Sequence, residues 1–370
     1  MPHRVQVLIT SNQRRGAEVF GSQLAGGLAA RGWETDLVAL SSAPASAVGG
    51  ATVDAEVVGD RERARLGRLS RDVVVPLRRR VDEFRPGIVF ANGGATLRYG
   101  IAATRFRRRR PLLVYGSIGE PAHWARTPLS RRLLSIQLRM ADFVTAVSTA
   151  TRGQLLGLGV PPDRVEVSPI GAAPQLSEVS RDDDHPELRI LFLGSLSTEK
   201  DPLAALETVE RAGRSVPVRM RVVGGGAQEK TLSEEVERRG LTGTVELIGV
   251  VADVLPHLQW ADVLILTSAT EGLPGAVLEA AFAGVPTAGF DVGGVSEAVV
   301  DGTTGRLVNR GDIDALSAVL AEMAADRDRT LAMGEEARRL ALSRFTLEAA
   351  VDRFATVFDR LLTRDQDGPA

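Results

Sequence analysis

The strongest constraint on this 370-residue chain is an alternation of short apolar, β-branched stretches with longer segments of helical period, which runs through once and then starts again. Strand-like stretches fall at residues 5–10, 35–39, 88–91, 112–115, 143–147 and 165–168, and then at 189–193, 219–223, 244–248, 263–267 and 287–290. Strands alternating with helices are the pattern of parallel sheets covered by helices. In the first run, Leu66, Leu69, Val73, Leu77, Val81 and Phe84 recur at spacings of three and four and mark a buried helical stripe, which Pro76 is expected to kink. The pattern breaks over residues 172–187, a polar stretch with Pro174, Asp182, Asp183, Asp184 and Pro186, of the kind that links domains. A chain this long also exceeds one ordinary core. The expectation is two doubly wound α/β domains, residues 1–172 and 188–345, joined by a linker over 173–187. A last amphipathic helix at 347–362, within a segment 346–370 that ends in a polar tail, is expected to pack back on the first domain.

Several function classes fall away on composition. There are no cysteines, which removes disulfides, thiolate metal sites and cysteine nucleophiles and fits a reducing compartment. No apolar run reaches the roughly 18 residues of a membrane span, and residues 1–10 lack the regions of a signal peptide, so a cytoplasmic protein is expected. The net charge of −2 hides an asymmetry: residues 1–180 hold 25 Arg against 15 acids, while residues 181–370 hold 20 basic against 32 acidic residues. The first half, at +10, favours an anionic partner such as a lipid surface; a solvated arginine-rich surface is the plainer reading.

Ligands of doubly wound sheets bind at the carboxyl ends of the strands, where the strand order reverses. The segment with the right chemistry for such a place is 267–281. There an apolar strand ends in a polar loop, Ser268-Ala269-Thr270-Glu271-Gly272-Leu273, and a helix starts near Pro274. Proline is favoured at a first helical position, where its missing N–H has no partner to lose. The free N–H groups of that helix start, with Gly272 and Gly275, can receive a phosphate. Glu271 and Glu279 flank this anion site, and eight residues of helix would separate them by roughly 12 Å, a length suited to the two ends of an elongated ligand.

Glu271 and Glu279 with this spacing, then Ala281, Ala283, Gly284 and Pro286, then Gly293, Gly294 and Glu297, resemble glycosyltransferase family 4. Residues 301–308 look like the family's next loop and strand, and the similarity extends more weakly over nearly the whole chain. The resemblance implies the GT-B fold, with two facing Rossmann-like domains and a nucleotide-sugar donor in the cleft between them. It also implies a retaining transfer without a metal or cofactor. Carried over, Glu279 would hold the ribose hydroxyls, Glu271 would contact the transferred sugar, and Gly272, Leu273, Pro274 and Gly275 would meet the diphosphate or sugar. Gly194, Ser195 and Lys200 resemble the phosphate-clamp strand and loop; Ser195 stands where the family usually has Arg, which removes one of two expected cations. Lys200 is one of only two lysines in the chain, and a compact ammonium suits a diphosphate. Gly224 and Val250 would lie near the base end of the donor. Gly16 would let backbone approach donor phosphates or acceptor, and together with Glu271 and Lys200 it forms the catalytic set the resemblance implies. Ser117 occupies the place where the family often has a sugar-contacting His, with Gly119 and Glu120 following on the acceptor side. His123 is out of register. Asp142 and Ser148 read as strand-end and capping groups.

A hexosyl donor with UDP ahead of GDP is the expectation, with an envelope, lipid-linked or small-molecule acceptor and no nucleic acid. The arginines at 107–110, beside Phe106, and those at 126–139 make an anionic membrane surface a candidate partner. Alternatives remain open. Gly224, Gly225 and Gly226 after a strand suggest a dinucleotide loop, although Glu229 stands where that pattern needs glycine. A nucleotide-sugar epimerase or hydrolase, or a catalytically silent nucleotide-sugar binder, would share the fold. The acidic run at 182–184 lies in the linker and reads as solvated rather than metal-binding.

Overall fold

A computed structural model of the chain describes residues 3–13, 15–42, 52–59, 69–105, 107, 110–173 and 185–366. Two units result: residues 1–171 with 347–370, and residues 172–346. Most of the expected linker, including Asp182, Asp183 and Asp184, lies outside the described residues.

In the first unit the chain runs β1 (Arg4–Ile9), α1 (Gly16–Ala29), β2 (Glu34–Ala39), β3 (Glu56–Val57), α2 (Arg71–Phe84), β4 (Ile88–Asn92) and α3 (Thr96–Thr104). It continues through β5 (Leu112–Ser117), α4 (Pro121–Trp124), α5 (Pro128–Met140), β6 (Phe143–Ala146), α6 (Thr149–Gly157) and β7 (Val165–Val167). The seven strands form one parallel sheet in the order β3-β2-β1-β4-β5-β6-β7. Side chains alternate across a strand, so β1 serves two cores. Val5, Val7 and Ile9 join the layer of α1, and Leu8 joins the layer of α2, α3, α5 and α6. The buried stripe of α2 is Val73, Leu77 and Val81. Its amino-terminal end departs from expectation: the helix starts only at Arg71, Leu69 is exposed before it, and Leu66 lies outside the described residues. The helix runs on through Pro76.

The second unit runs β8 (Leu188–Leu193), α7 (Pro202–Ala212), β9 (Val218–Val223), α8 (Glu229–Arg238), β10 (Val245–Gly249), α9 (Leu255–Trp260) and β11 (Val263–Leu266). It closes with α10 (Gly275–Phe282), β12 (Thr287–Phe290), α11 (Val295–Ala298), β13 (Gly305–Val308), α12 (Ile313–Ala325) and α13 (Arg327–Arg344). Its six parallel strands take the order β10-β9-β8-β11-β12-β13. Strands buried on both faces read as unbroken apolar runs, which is why every residue of β11 is buried.

The last helix, α14 (Leu347–Gln366), belongs to the first unit. Aromatics make up only 4% of the chain, and five of them gather here. Phe354 lies 5.3 Å from Phe90 and 5.7 Å from Phe20, and Phe358 lies 5.9 Å from Trp33. The approach of α14 to α1 needs a glycine, since a Cβ on Gly27 would stand 2.5 Å from Val351 Cγ2.

Candidate active site

In the second unit the chain winds outward from β8 to β10 and then returns to β11 on the other side of β8. The crevice at the carboxyl ends of β8 and β11 is therefore the switch point where such sheets bind ligands. Two loops leave it, 194–201 and 267–274, and they are stitched together. The Ala269 N–H donates to the Glu199 carbonyl at 2.7 Å. Thr267 Oγ1 donates to the Asp201 carbonyl at 2.8 Å. Asp201, in the left-handed region at φ 47°, turns the chain and caps α7 by accepting from the Ala204 N–H. That turn aims Lys200 across the crevice, where its Nζ stands 2.5 Å from Glu271 Oε1. Ser268 Oγ donates to the same oxygen at 2.6 Å. Glu271 is buried, while the Lys200 side chain keeps about a quarter of its surface exposed. A buried carboxylate is costly unless paired, and this one is paired twice. An ammonium carries three donors, and the pair with Glu271 uses one.

Lys200 and Glu271, assigned separately to diphosphate and sugar by the resemblance, thus form one cluster. The helical span between the two acids is also shorter than expected: α10 begins at Gly275, with Pro274 at the capping position rather than the first helical one. Glu271 therefore sits in the loop, and the estimate of their separation from eight helical residues does not apply. No side chain caps α10; the Val277 and Leu278 N–H groups donate to the Pro274 carbonyl, and the N–H groups of Gly275 and Ala276 before them have no acceptor within the helix. Glu279, half-buried in its second turn, lies on the same short helix. Gly272 and Leu273 are buried in the loop before it.

The β9 end closes against the same loop. Gly194 N–H donates to the Val223 carbonyl and Leu196 N–H to the Gly225 carbonyl, each at 3.0 Å, and Gly224 N–H donates to the Gly249 carbonyl at 2.8 Å. Gly224 has φ 139°, and a Cβ there would lie 1.8 Å from the Gly194 carbonyl oxygen, so only glycine fits. Val250, exposed, follows Gly249 at the end of β10. Ser195 is exposed and within 3.3 Å of Ser197 Oγ. The residues that the resemblance assigns to the donor therefore lie on loops at the carboxyl ends of β8, β9, β10 and β11, except Gly275 and Glu279, which lie on α10. Among the described residues, no three His, Asp or Glu side chains gather as a metal would require.

The first unit has its own switch point, between β1 and β4. Gly16 starts α1 there, and a Cβ on it would meet nothing within 4 Å. Asn92, at the end of β4, donates to the Ala17 carbonyl at 2.7 Å, and its buried Oδ1 has no partner. Sequence reasoning passed over Glu18 in the first turn of α1. It lies on the buried stripe with Gly21, Ala25 and Leu28, and burial pushes its carboxyl up to about 7. That spacing was the signal available to find it. Ser117 ends β5 and is buried. The neighbouring Tyr115 phenol is pushed up to about 12 by burial, against a smaller opposite pull from Ser117. Glu120 accepts from Gln154 Nε2 at 3.1 Å, and Gln154 Oε1 accepts from the Ala122 N–H at 3.1 Å, so this acid ties α4 to α6. Ser148 caps α6, and Asp142 accepts from the Leu113 N–H at 2.8 Å.

Two doubly wound parallel-sheet units, the second with an acid–ammonium cluster at its switch point, define the GT-B class of glycosyltransferase. The fold is shared with Anabaena HepE in complex with UDP and glucose, at TM-score 0.80 and 21% identity over 97% of this chain and all of that one. Sucrose-phosphate synthase from Thermosynechococcus elongatus shares it at TM-score 0.81 and 17% identity, over 98% of this chain and 99% of the other. Within that class the chain belongs to glycosyltransferase family 4. Residues 14–175 match the model described as Glycosyltransferase Family 4, and residues 178–340 match that of Glycosyl transferases group 1. A GDP-mannose-dependent alpha-(1-6)-phosphatidylinositol monomannoside mannosyltransferase of Mycolicibacterium smegmatis is 31% identical over 265 residues, 66% of this chain and 68% of that protein. A 2-deoxystreptamine N-acetyl-D-glucosaminyltransferase of Streptomyces fradiae is 34% identical over 208 residues, 54% of this chain and 48% of that one. The chain is thus a nucleotide-sugar-dependent glycosyltransferase.

Proposed function

We propose that the chain transfers a hexosyl group, with retention, from a nucleoside diphosphate sugar to an envelope, lipid-linked or small-molecule acceptor, as a cytoplasmic enzyme working at a membrane face. The observation that carries this reading is the cluster of Lys200, Glu271 and Ser268 at the second switch point, beside the uncapped start of α10. In the proposed reaction the bond from the sugar's anomeric carbon to the diphosphate oxygen breaks. The acceptor oxygen then bonds to that carbon on the same face, and its proton passes to the departing phosphate. The free donors of Lys200 and the N–H groups of α10 stabilise the diphosphate as charge develops on it. In this reading no metal or cofactor is needed. Glu271 orients Lys200 and meets the sugar, and Glu279 accepts from the ribose hydroxyls.

UDP is the first base to test. GDP is the second reading, favoured by the mycobacterial relative named for GDP-mannose. A thermal-shift screen of UDP-, GDP- and dTDP-sugars identifies the donor, because a ligand that binds only the folded chain raises its Tm. With that donor, Glu279→Ala is expected to weaken binding roughly tenfold to a hundredfold, the loss of hydrogen bonds to a charged acceptor. Glu271→Ala should lower turnover more than affinity. Unchanged nucleotide binding by Glu279→Ala in calorimetry would remove the ribose role. Radiolabelled donor that is isomerised or hydrolysed with acceptor present, rather than transferred, would replace transfer with the epimerase or hydrolase reading. Tight binding without turnover across acceptor panels would leave a silent binder.

A further inference from the structure

We propose that the outer face of α5, together with Trp124 at the end of α4, docks the enzyme on an anionic lipid bilayer. A helix covering a sheet needs one apolar stripe, and α5 carries two. Leu138 is buried and Leu134 partly buried against the sheet-side core. On the opposite side Leu129, Leu133 and Ile136, spaced by four and three, share a face, and each is at least half exposed. Trp124 is two-thirds exposed just before them. Four of the ten large apolar side chains exposed among the described residues thus fall within one short stretch, too many together to be the scattered exposure of an ordinary surface.

The charges around this face identify the occupant. Between Glu120 and Asp142 there is no acidic residue, while Arg126, Arg131, Arg132 and Arg139 all lie there. Arg126 donates to the His123 carbonyl and Arg131 to the Ala125 carbonyl, neutral partners that leave the positive charge uncompensated. The other arginine run of the sequence is different. Arg107 pairs with Asp82 and Arg110 with Asp142, and Phe106, Arg108 and Arg109 lie outside the described residues. An anionic bilayer meets both features at once, with acyl chains for the apolar stripe and phosphate headgroups for the arginines. Tryptophan beside them suits the interface between the two. Among the described residues no helix is long and apolar enough to cross a membrane, so contact through α5 would be peripheral. The inference rests on the reading above only in linking the surface to a lipid-borne acceptor.

The test is flotation of the full chain with phosphatidylcholine vesicles, with and without phosphatidylglycerol, at low and at physiological salt. Binding is expected to the anionic vesicles, weakening with salt and falling about fivefold for each of Arg126→Ala and Arg132→Ala. Leu133→Glu with Ile136→Glu is expected to abolish it while Tm and the donor-induced thermal shift stay at wild-type values. These positions face away from the core, so the double variant should fold. No flotation at low salt would overturn the proposal, as would undiminished flotation of the double variant. A dimer of the wild type that the double variant abolishes, without vesicle binding by either, would also overturn it by making a second copy the occupant. Donor binding needs no vesicle, so its loss would strike the transferase reading and leave docking intact.

Discussion

Replacing Glu18 with glutamine isolates one buried acid and lets its cost be read as a function of pH. Burial holds the Glu18 carboxyl at about 7 from its ordinary 4.5, against smaller downward pulls from its own backbone N–H and from Arg15. In the unfolded chain the group releases its proton near its ordinary value; in the native chain it keeps the proton until the higher one. Between those values the native state binds more protons, so stability falls as pH rises. Each pH unit costs up to about 1.4 kcal/mol, and a window of about 2.5 units makes about 3 kcal/mol, retained below the lower value and lost above the upper. Glutamine keeps the shape and has no proton to release. Urea unfolding can be followed through Trp33, buried in the first unit, with Trp124→Phe and Trp260→Phe in both proteins. The variant should gain about 3 kcal/mol on wild type as pH rises from 4.5 to 8. A difference that stays flat over that range would refute the buried, proton-holding assignment.

Two further substitutions test the packing that holds the sites. Gly224→Ala sets a Cβ against the Gly194 carbonyl in a backbone region that side chains avoid; a loss of about 2 kcal/mol or more and weaker donor binding are expected in urea unfolding and thermal shift. Phe354→Ala empties the centre of the aromatic cluster between α14 and the first sheet; a loss of about 3–5 kcal/mol is expected, read by Trp33 fluorescence.

Much of the chain was legible because its signals are local. Most strands of each unit announce themselves as short apolar runs, while the two-residue, exposed β3 does not and β13 was marked only by the family resemblance. The loop and helix after β11 carry their turn residues and both acids within a few positions. The capping of α6 by Ser148 was readable for the same reason. The arginines around α5 were equally visible, but the second apolar stripe beside them was not singled out. Leu134 and Leu138 face inward only because the rest of the unit lies on that side. Glu18 shows the same limit in another form. Its place on the stripe of α1 follows from spacing, whereas its raised acidity depends on how completely the sheet and its neighbours cover it.

The sequence alone determined that strands and helices alternate twice, where the loop between β11 and α10 lies, and which residue types stand around it. Only the tertiary structure decided that Lys200 and Glu271, 71 residues apart, meet at one oxygen, and that Phe354 of α14 packs against Phe20 and Phe90. Periodicity and turn chemistry act over a few residues and are written in sequence order. Contact between distant segments depends on the order in which strands join the sheet, and that order is chosen by the burial of the whole unit at once.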